Sequence, residues 1–177
     1  MGITYISEEK LFKLDTPKTT YCIGLIDQEG FLGHAYYGRR IHNVQGVSAL
    51  MRLCENPMTP ETNARDRLSF LDSFPTEYSA HGVGDYRESS VRVRSAGGHS
   101  AVLLTYDSHE IYQGKEALAG LPATFGGDGE VTTLAITCRD RALGLRAVLS
   151  YSVFEDTDAI ARSVRFYNDS DQPIFFF

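Results

Sequence analysis

The chain has 177 residues, with 17 Lys and Arg against 23 Asp and Glu, and the resulting formal net charge of −6 argues against a nucleic-acid partner. Hydrophobic residues at 42% and charged residues at 23% match an ordinary globular domain and exclude disordered, collagen-like and membrane-embedded classes. A chain of about 150 residues already buries roughly 68–70% of its unfolded surface, so one domain spanning 1–177 is predicted.

The opening Met1-Gly-Ile-Thr-Tyr-Ile-Ser-Glu-Glu-Lys10 lacks the basic and apolar blocks of a leader, and no run approaches the ~20 apolar residues of a spanning helix. A cytoplasmic protein without membrane contact is the expectation. After a turn signal at Asp27-Gln-Glu-Gly30, Val47, Leu50, Met51 and Cys54 recur at helical spacing and predict a short amphipathic helix of about two turns. It ends before Pro57. The polar stretch Asn56-Pro-Met-Thr-Pro-Glu-Thr-Asn-Ala-Arg-Asp-Arg67 follows neither period, which predicts a long surface loop. Loops of that length inside compact domains are usually functional or disordered, so this is the first place to look for a site.

Beyond the loop, period two dominates and sends successive side chains to opposite faces. Val91-Arg-Val-Arg94, Leu134-Ala-Ile-Thr-Cys138 and Leu143 to Phe154 alternate and carry β-branched and aromatic residues, which predicts antiparallel strands. Ala96-Gly-Gly98, Gly126-Gly-Asp-Gly129 and Asp169-Ser-Asp171 supply the turns between them, and turns at this spacing favour a sandwich. The final Gln172-Pro-Ile-Phe-Phe-Phe177 places three aromatics after a turn signal. Leaving each exposed forfeits about 1.5–3 kcal/mol of burial, so a strand cut short, and hence a fragment of a longer polypeptide, is expected; a last strand ending flush in its sheet is the alternative.

Cys22, Cys54 and Cys138 are scattered and contain no CxxC pair, so buried free thiols are expected. His34, His42, His81, His99 and His109 show no metal-binding spacing, and no metal or cofactor is predicted. Asp107-Ser-His109-Glu110 holds catalytic residue types side by side, but neighbours on a strand point to opposite faces, and His109 reads as a structural histidine. Gly82-Val-Gly84-Asp85 lacks the GK[ST] of a phosphate loop and reads as a turn. Asp66, Asp72, Glu77, Asp85 and Glu88 are interleaved with Arg65, Arg67 and Arg87 and with Tyr78 and Tyr86. Such mixtures suit carbohydrate, because hydroxyls pair with carboxylates and guanidinium groups while rings stack on the sugar face. They equally suit salt bridges along strand edges.

Several motifs occur in one order: Tyr36-Tyr-Gly-Arg39, Leu68-Ser-Phe-Leu-Asp72, Phe74-Pro-Thr-Glu-Tyr78, Gly82-Val-Gly-Asp-Tyr-Arg87, Tyr106-Asp-Ser-His-Glu-Ile111, Gly114-Lys115, Gly120-Leu-Pro-Ala-Thr124 and Ala161-Arg-Ser-Val-Arg-Phe-Tyr-Asn168. Together they resemble the N-terminal domain of family 36 glycoside hydrolases, the bacterial α-galactosidases, over the whole chain from Ile3 to Phe177. The resemblance implies an all-β fold, a twisted antiparallel β-supersandwich with one or two short helices, placed before a catalytic (β/α)8 barrel. It implies hydrolysis of terminal α-linked galactose from melibiose-type and raffinose-type sugars by the full-length enzyme, with retention through two barrel aspartates. The family's nucleophile motif contains Trp and this chain has Trp 0, so neither catalytic aspartate is expected here and the chain alone is predicted inactive.

In tetrameric members a loop of this domain reaches a neighbouring subunit's active site. The matching region is Asn56 to Asp72, and Asp66 and Arg67 are the substrate-binding candidates, with solvated loop charges as the alternative. The resemblance thus implies a non-catalytic domain that caps the barrel, supports a homo-oligomer and lends a loop to substrate. A free-standing carbohydrate-binding module is the competing reading, with Tyr36, Tyr37, Tyr78 and Tyr86 as its possible platform. Ser79 and Ser89 stand where members often carry proline, which leaves the fold intact and puts strand-edge detail in doubt.

Overall fold

Period-two alternation is realised as two antiparallel meanders in the computed structural model, which describes residues 2–26, 30–51, 69–122 and 124–177. The first sheet runs in the order β1 (Gly2–Ile6), β2 (Leu11–Asp15), β3 (Thr19–Ile26), β4 (Phe31–Arg39). Two 3-10 turns follow, Val47–Leu50 and Ser69–Asp72, and then the short β5 (Val93–Ser95). The second sheet runs β6 (Thr105–Gln113), β7 (Val131–Asp140), β8 (Leu145–Phe154), β9 (Ala159–Asn168), after which β10 (Ile174–Phe176) returns to pair with β5. The all-β antiparallel sandwich expected from the sequence is what the chain forms.

The sheets meet through one apolar layer. Phe12, Leu14, Tyr21 and Ile23 of the first sheet pack with Leu134, Ile136, Leu149, Tyr151 and Val153 of the second. Each such side chain contributes about 1.5–3 kcal/mol on burial, so this layer holds the sandwich closed. His109 belongs to it: its ring lies 4.6 Å from Tyr5 and 4.8 Å from Phe12, and its Nδ1 shares a 2.7 Å hydrogen bond with the Tyr106 hydroxyl. Burial pushes the imidazole below its ordinary range. Asp107 instead pairs with Arg139 and Arg141, so the Asp-Ser-His-Glu run makes no triad.

Beneath the first sheet lies a second apolar layer. Leu11, Cys22, Phe31 and Ala35 are covered by Val44, Val47, Met51, Leu71 and Phe74. A sheet buried on both faces loses its alternation, which is why β3 reads as the near-continuous Thr-Thr-Tyr-Cys-Ile-Gly-Leu-Ile. Cys22 and Cys138 are buried free thiols, their pKa values pushed up by burial to about 11 and about 12. Cys54 lies outside the described residues.

Three expectations require correction. The two-turn helix is a single 3-10 turn, in which Val47 and Met51 are buried while Leu50 is 59% exposed. The reason is Met51, which leaves the turn in extended conformation (φ −76°, ψ 98°) so that its side chain enters the core. Leu143 and Gly144 belong to the turn before β8 rather than to the strand. Val91 makes an isolated parallel bridge to Ala80, and β5 starts at Val93.

The aromatic end pairs in register, Ile174 with Ser95 and Phe176 with Val93. Phe176 lies 5.1 Å from the Phe166 ring, and the Arg94 guanidinium sits 5.1 Å from the Phe177 ring. No helix among the described residues is long and apolar enough to cross a membrane.

Candidate functional site

Asp66 and Arg67 lie outside the described residues, but both stems of the segment that carries them are defined. Gly24 and Gly33 are paired across β3 and β4. A Cβ on Gly24 would sit 2.3 Å from Met51 Cε, and one on Gly33 would sit 2.3 Å from Phe74 Cζ and 2.8 Å from Met51 Sδ. The missing side chains therefore leave a notch that only glycine permits, and it receives Met51 from one stem and Phe74 from the other.

The Gly82-Val-Gly-Asp-Tyr-Arg87 motif then locks the second stem. Arg87 Nη2 donates to the carbonyl oxygen of Leu71 at 3.0 Å, at the end of the 3-10 turn, and to that of Phe74 at 2.7 Å, which also accepts from Thr76 N. The same guanidinium forms a bidentate pair with Asp85, both contacts 2.8 Å, and holds its carboxyl below the usual carboxylate range. Backbone bonds from His34 N to Pro75 O at 2.7 Å and from Glu77 N to Leu32 O at 2.9 Å tie Phe74 to Glu77 against β4. Of the carboxylates that resembled a sugar site, Asp85 is thus a structural clamp, and Glu88 makes a surface pair with Arg92 at 2.9 Å.

Glu77, the acid of the Pro-Thr-Glu-Tyr motif, sits between the sheets. Its Oε2 accepts from the Tyr21 hydroxyl at 2.6 Å, and its Oε1 accepts from the Tyr151 hydroxyl at 2.8 Å and from Arg162 Nη2 at 2.7 Å. Its side chain is 1% exposed. Burial, reinforced by the Glu77 charge, pushes both phenols far above their ordinary range, so each stays protonated and donates. The arrangement bridges β3, β8 and β9, and no surface opens onto the carboxylate. Its chemistry is cross-linking rather than catalysis.

The tyrosines singled out in the sequence do not gather. Tyr36 donates to the Arg39 carbonyl at 2.8 Å, Tyr78 to the Ser90 carbonyl at 3.2 Å, Tyr37 lies 5.7 Å from the Tyr21 ring, and Tyr86 is 81% exposed in the Gly-rich turn. Among the described residues no ring contact links one of the four to another.

A concave site lies instead on the outer face of β6–β9, with a volume of about 820 Å³. Register explains it. One row across the sheet reads Glu110, Ala135, Ser150, Ser163 and the next reads Tyr112, Thr133, Ser152. Small residues thus fill the two central strands, and large ones, Glu110 and Tyr112 on β6 with Arg165 and Tyr167 on β9, stand along the outer strands. The segment after Gly114 (φ 84°), where the chain turns out of β6, adds Lys115, Glu116 and Leu121 as a wall.

Tyr167 is held from outside: Arg146 lies 4.1 Å from its ring, and Asp169 grips Arg146 with contacts of 2.7 and 2.9 Å. The Tyr167 phenol raises the Arg165 pKa, with Glu116 and Tyr112 adding to it, so the guanidinium stays charged. Burial, with Glu116 and Glu110 adding, raises the Tyr112 phenol. Sequence reasoning missed this face. Its signal was the run of small residues alternating with core residues in Thr133-Leu-Ala-Ile-Thr137 and Ala147-Val-Leu-Ser-Tyr-Ser152.

These features define an all-β sandwich domain with one polar, open sheet face. The Glycosyl hydrolase family 36 N-terminal domain matches residues 30–175, and the chain belongs to that family. It is 36% identical over 169 residues to the α-galactosidase AgaA of Geobacillus stearothermophilus, an alignment covering 95% of this chain and 23% of that protein. The solved galactosidase domain of the α-galactosidase–sucrose kinase AgaSK superposes with a TM-score of 0.89 at 33% identity, covering 99% of this chain and 24% of that one. A variant of AgaA solved in complex with raffinose gives a TM-score of 0.84 at 34% identity over 93% of this chain and 23% of its own. The chain thus spans about a quarter of the length of these relatives.

Proposed function

We propose that the chain is the non-catalytic N-terminal domain of an α-galactosidase, which caps a catalytic barrel, supports a homo-oligomer and lends the Asn56 to Asp72 loop to substrate. The observation that carries this reading is the common anchoring of both loop stems. Met51 and Phe74 enter one glycine notch, and Arg87 fixes the carbonyls of Leu71 and Phe74. The anchored stems fix where the segment leaves and rejoins the domain, and a group that must meet a sugar hydroxyl within hydrogen-bond distance needs such positioning. Asp66 and Arg67 would then accept from and donate to hydroxyls of a melibiose-type or raffinose-type sugar.

The substrate class is drawn from the relatives, one of which was crystallised with raffinose. Cytoplasmic residence is part of the reading, supported by the buried free thiols Cys22 and Cys138. The test compares the 177-residue chain with the product of its complete reading frame on a chromogenic α-galactoside. Hydrolysis by the complete product and none by the chain is the expected result. A complete product without α-galactosidase activity would overturn the reading.

A further inference from the structure

We propose that the trough on the outer face of β6–β9 is a binding site for a neutral oligosaccharide, separate from the loop that carries Asp66 and Arg67. Small residues on β7 and β8 between tall ones on β6 and β9 make an open channel of about 820 Å³, within the range of ligand clefts. Ala135 and Ser150 are small beside Glu110 in one row, Thr133 and Ser152 are small and buried beside Tyr112 in the next, and Arg165 and Tyr167 rise further along β9, beyond Ser163.

Charge defines the class of ligand. Lys115 and Arg165 are matched by Glu110 and Glu116 around the same channel, so the site carries donors and acceptors without a net field for an ion. Among the described residues Glu110 and Glu116 form no ion pair with each other's neighbours, and the hydroxyls of Ser150 and Ser163, opposite each other on β8 and β9, have no protein partner. Thr133 and Ser152, by contrast, bond to one another at 2.9 Å, and Thr133 also donates to the Gly114 carbonyl at 2.7 Å. The free hydroxyls of Ser150 and Ser163, the carboxylates of Glu110 and Glu116, the Arg165 guanidinium and the rings of Tyr112 and Tyr167, all around one channel, match a molecule that has hydroxyls around its edge and an apolar ring face. Tyr167 is already oriented by Arg146 and Asp169, so little side-chain freedom is lost on stacking.

The test is an NMR titration of the 177-residue chain with stachyose and, separately, maltotetraose, up to ~50 mM because shallow sugar sites bind weakly. The use of stachyose rests on the proposed function, whereas maltotetraose does not. Binding of either sugar, with shifts centred on amides of β7–β9, is expected. Tyr112→Ala and Ser150→Arg should each weaken it at least about tenfold, while Tyr86→Ala, on the distant Gly-rich turn, leaves it unchanged. A thermal melt of each variant separates loss of binding from loss of fold. Binding of maltotetraose alone would support the trough and count against the α-galactoside reading. No shifts with either sugar, or shifts indifferent to a folded Ser150→Arg, would overturn the proposal. So would self-association of the wild-type chain that Ser150→Arg abolishes, since the face would then be an interface between copies.

Discussion

Sheet β1–β4 is covered on both faces, by the second sheet on one side and by Val47, Met51, Leu71 and Phe74 on the other, whereas among the described residues the outer face of sheet β6–β9 is buried at Thr133 and Ser152 and carries an open trough beyond them. The sequences differ accordingly. β3 is apolar almost throughout, while β7 and β8 alternate core residues with Thr, Ala and Ser. The closed sheet contributes rigidity to whatever is fastened to it, and here that is the pair of stems flanking 52–68. The open sheet has spare surface, and the register of its large and small side chains turns that surface into a channel. The proposed loop anchoring and the proposed sugar binding thus fall on different sheets.

The largest effect belongs to the residue that joins the sheets. Glu77→Ala leaves the Tyr21 and Tyr151 hydroxyls buried without an acceptor, and removing one member of a buried charged network costs about 3–5 kcal/mol. At roughly 2–4 °C per kcal/mol for a chain of this size, calorimetry should show a drop of ~10 °C or more in Tm. A drop of a degree or two would mean that the sheets are held by apolar packing alone.

Gly33→Ala comes next, at about 1–3 kcal/mol, because its methyl group would push against the Phe74 ring and Met51. The matching substitution on the open face, Ser163→Ala, should shift stability by less than about 0.5 kcal/mol. Equal losses in the two variants, measured by urea denaturation, would erase the distinction between closed and open sheets.

The smallest effect is a pH dependence. Burial lowers the folded-state pKa of His109, so the unfolded chain holds more protons between that pKa and the ordinary 6.5 of the imidazole. The stability from neutral His109 is therefore complete above about pH 6.5 and is lost as the pH falls toward the folded-state value. His109→Gln should show a shallower decline in Tm below pH 6.5 than the wild type. Parallel declines would remove His109 from the acid response.

Much of this architecture was legible in the sequence. Alternation in Leu134 to Cys138 and in Leu145 to Phe154 marks strands because a half-buried sheet imposes period two. The motif series from Tyr36 to Asn168 carried the family. The short helix failed because Val47, Leu50 and Met51 match a helical face only in spacing; the notch at Gly24 and Gly33 draws Met51 out of any helix and leaves Leu50 in solvent. The roles of Glu77, Asp85 and Arg87 were ambiguous because charges that bind a sugar and charges that bind a backbone look alike until partners are known. The trough was invisible for a further reason. Its walls come from β6 and β9, some 50 residues apart, and only the register between four strands brings Tyr112 and Arg165 around one channel.

The most direct test of the central claim, that the closed sheet anchors a loop for substrate, is steady-state kinetics of the complete protein carrying Asp66→Ala or Arg67→Ala, with raffinose as substrate. A KM raised about tenfold or more with a smaller change in kcat is the expected result, as when a positioning contact to substrate is lost. Kinetic constants equal to wild type in both variants would contradict it.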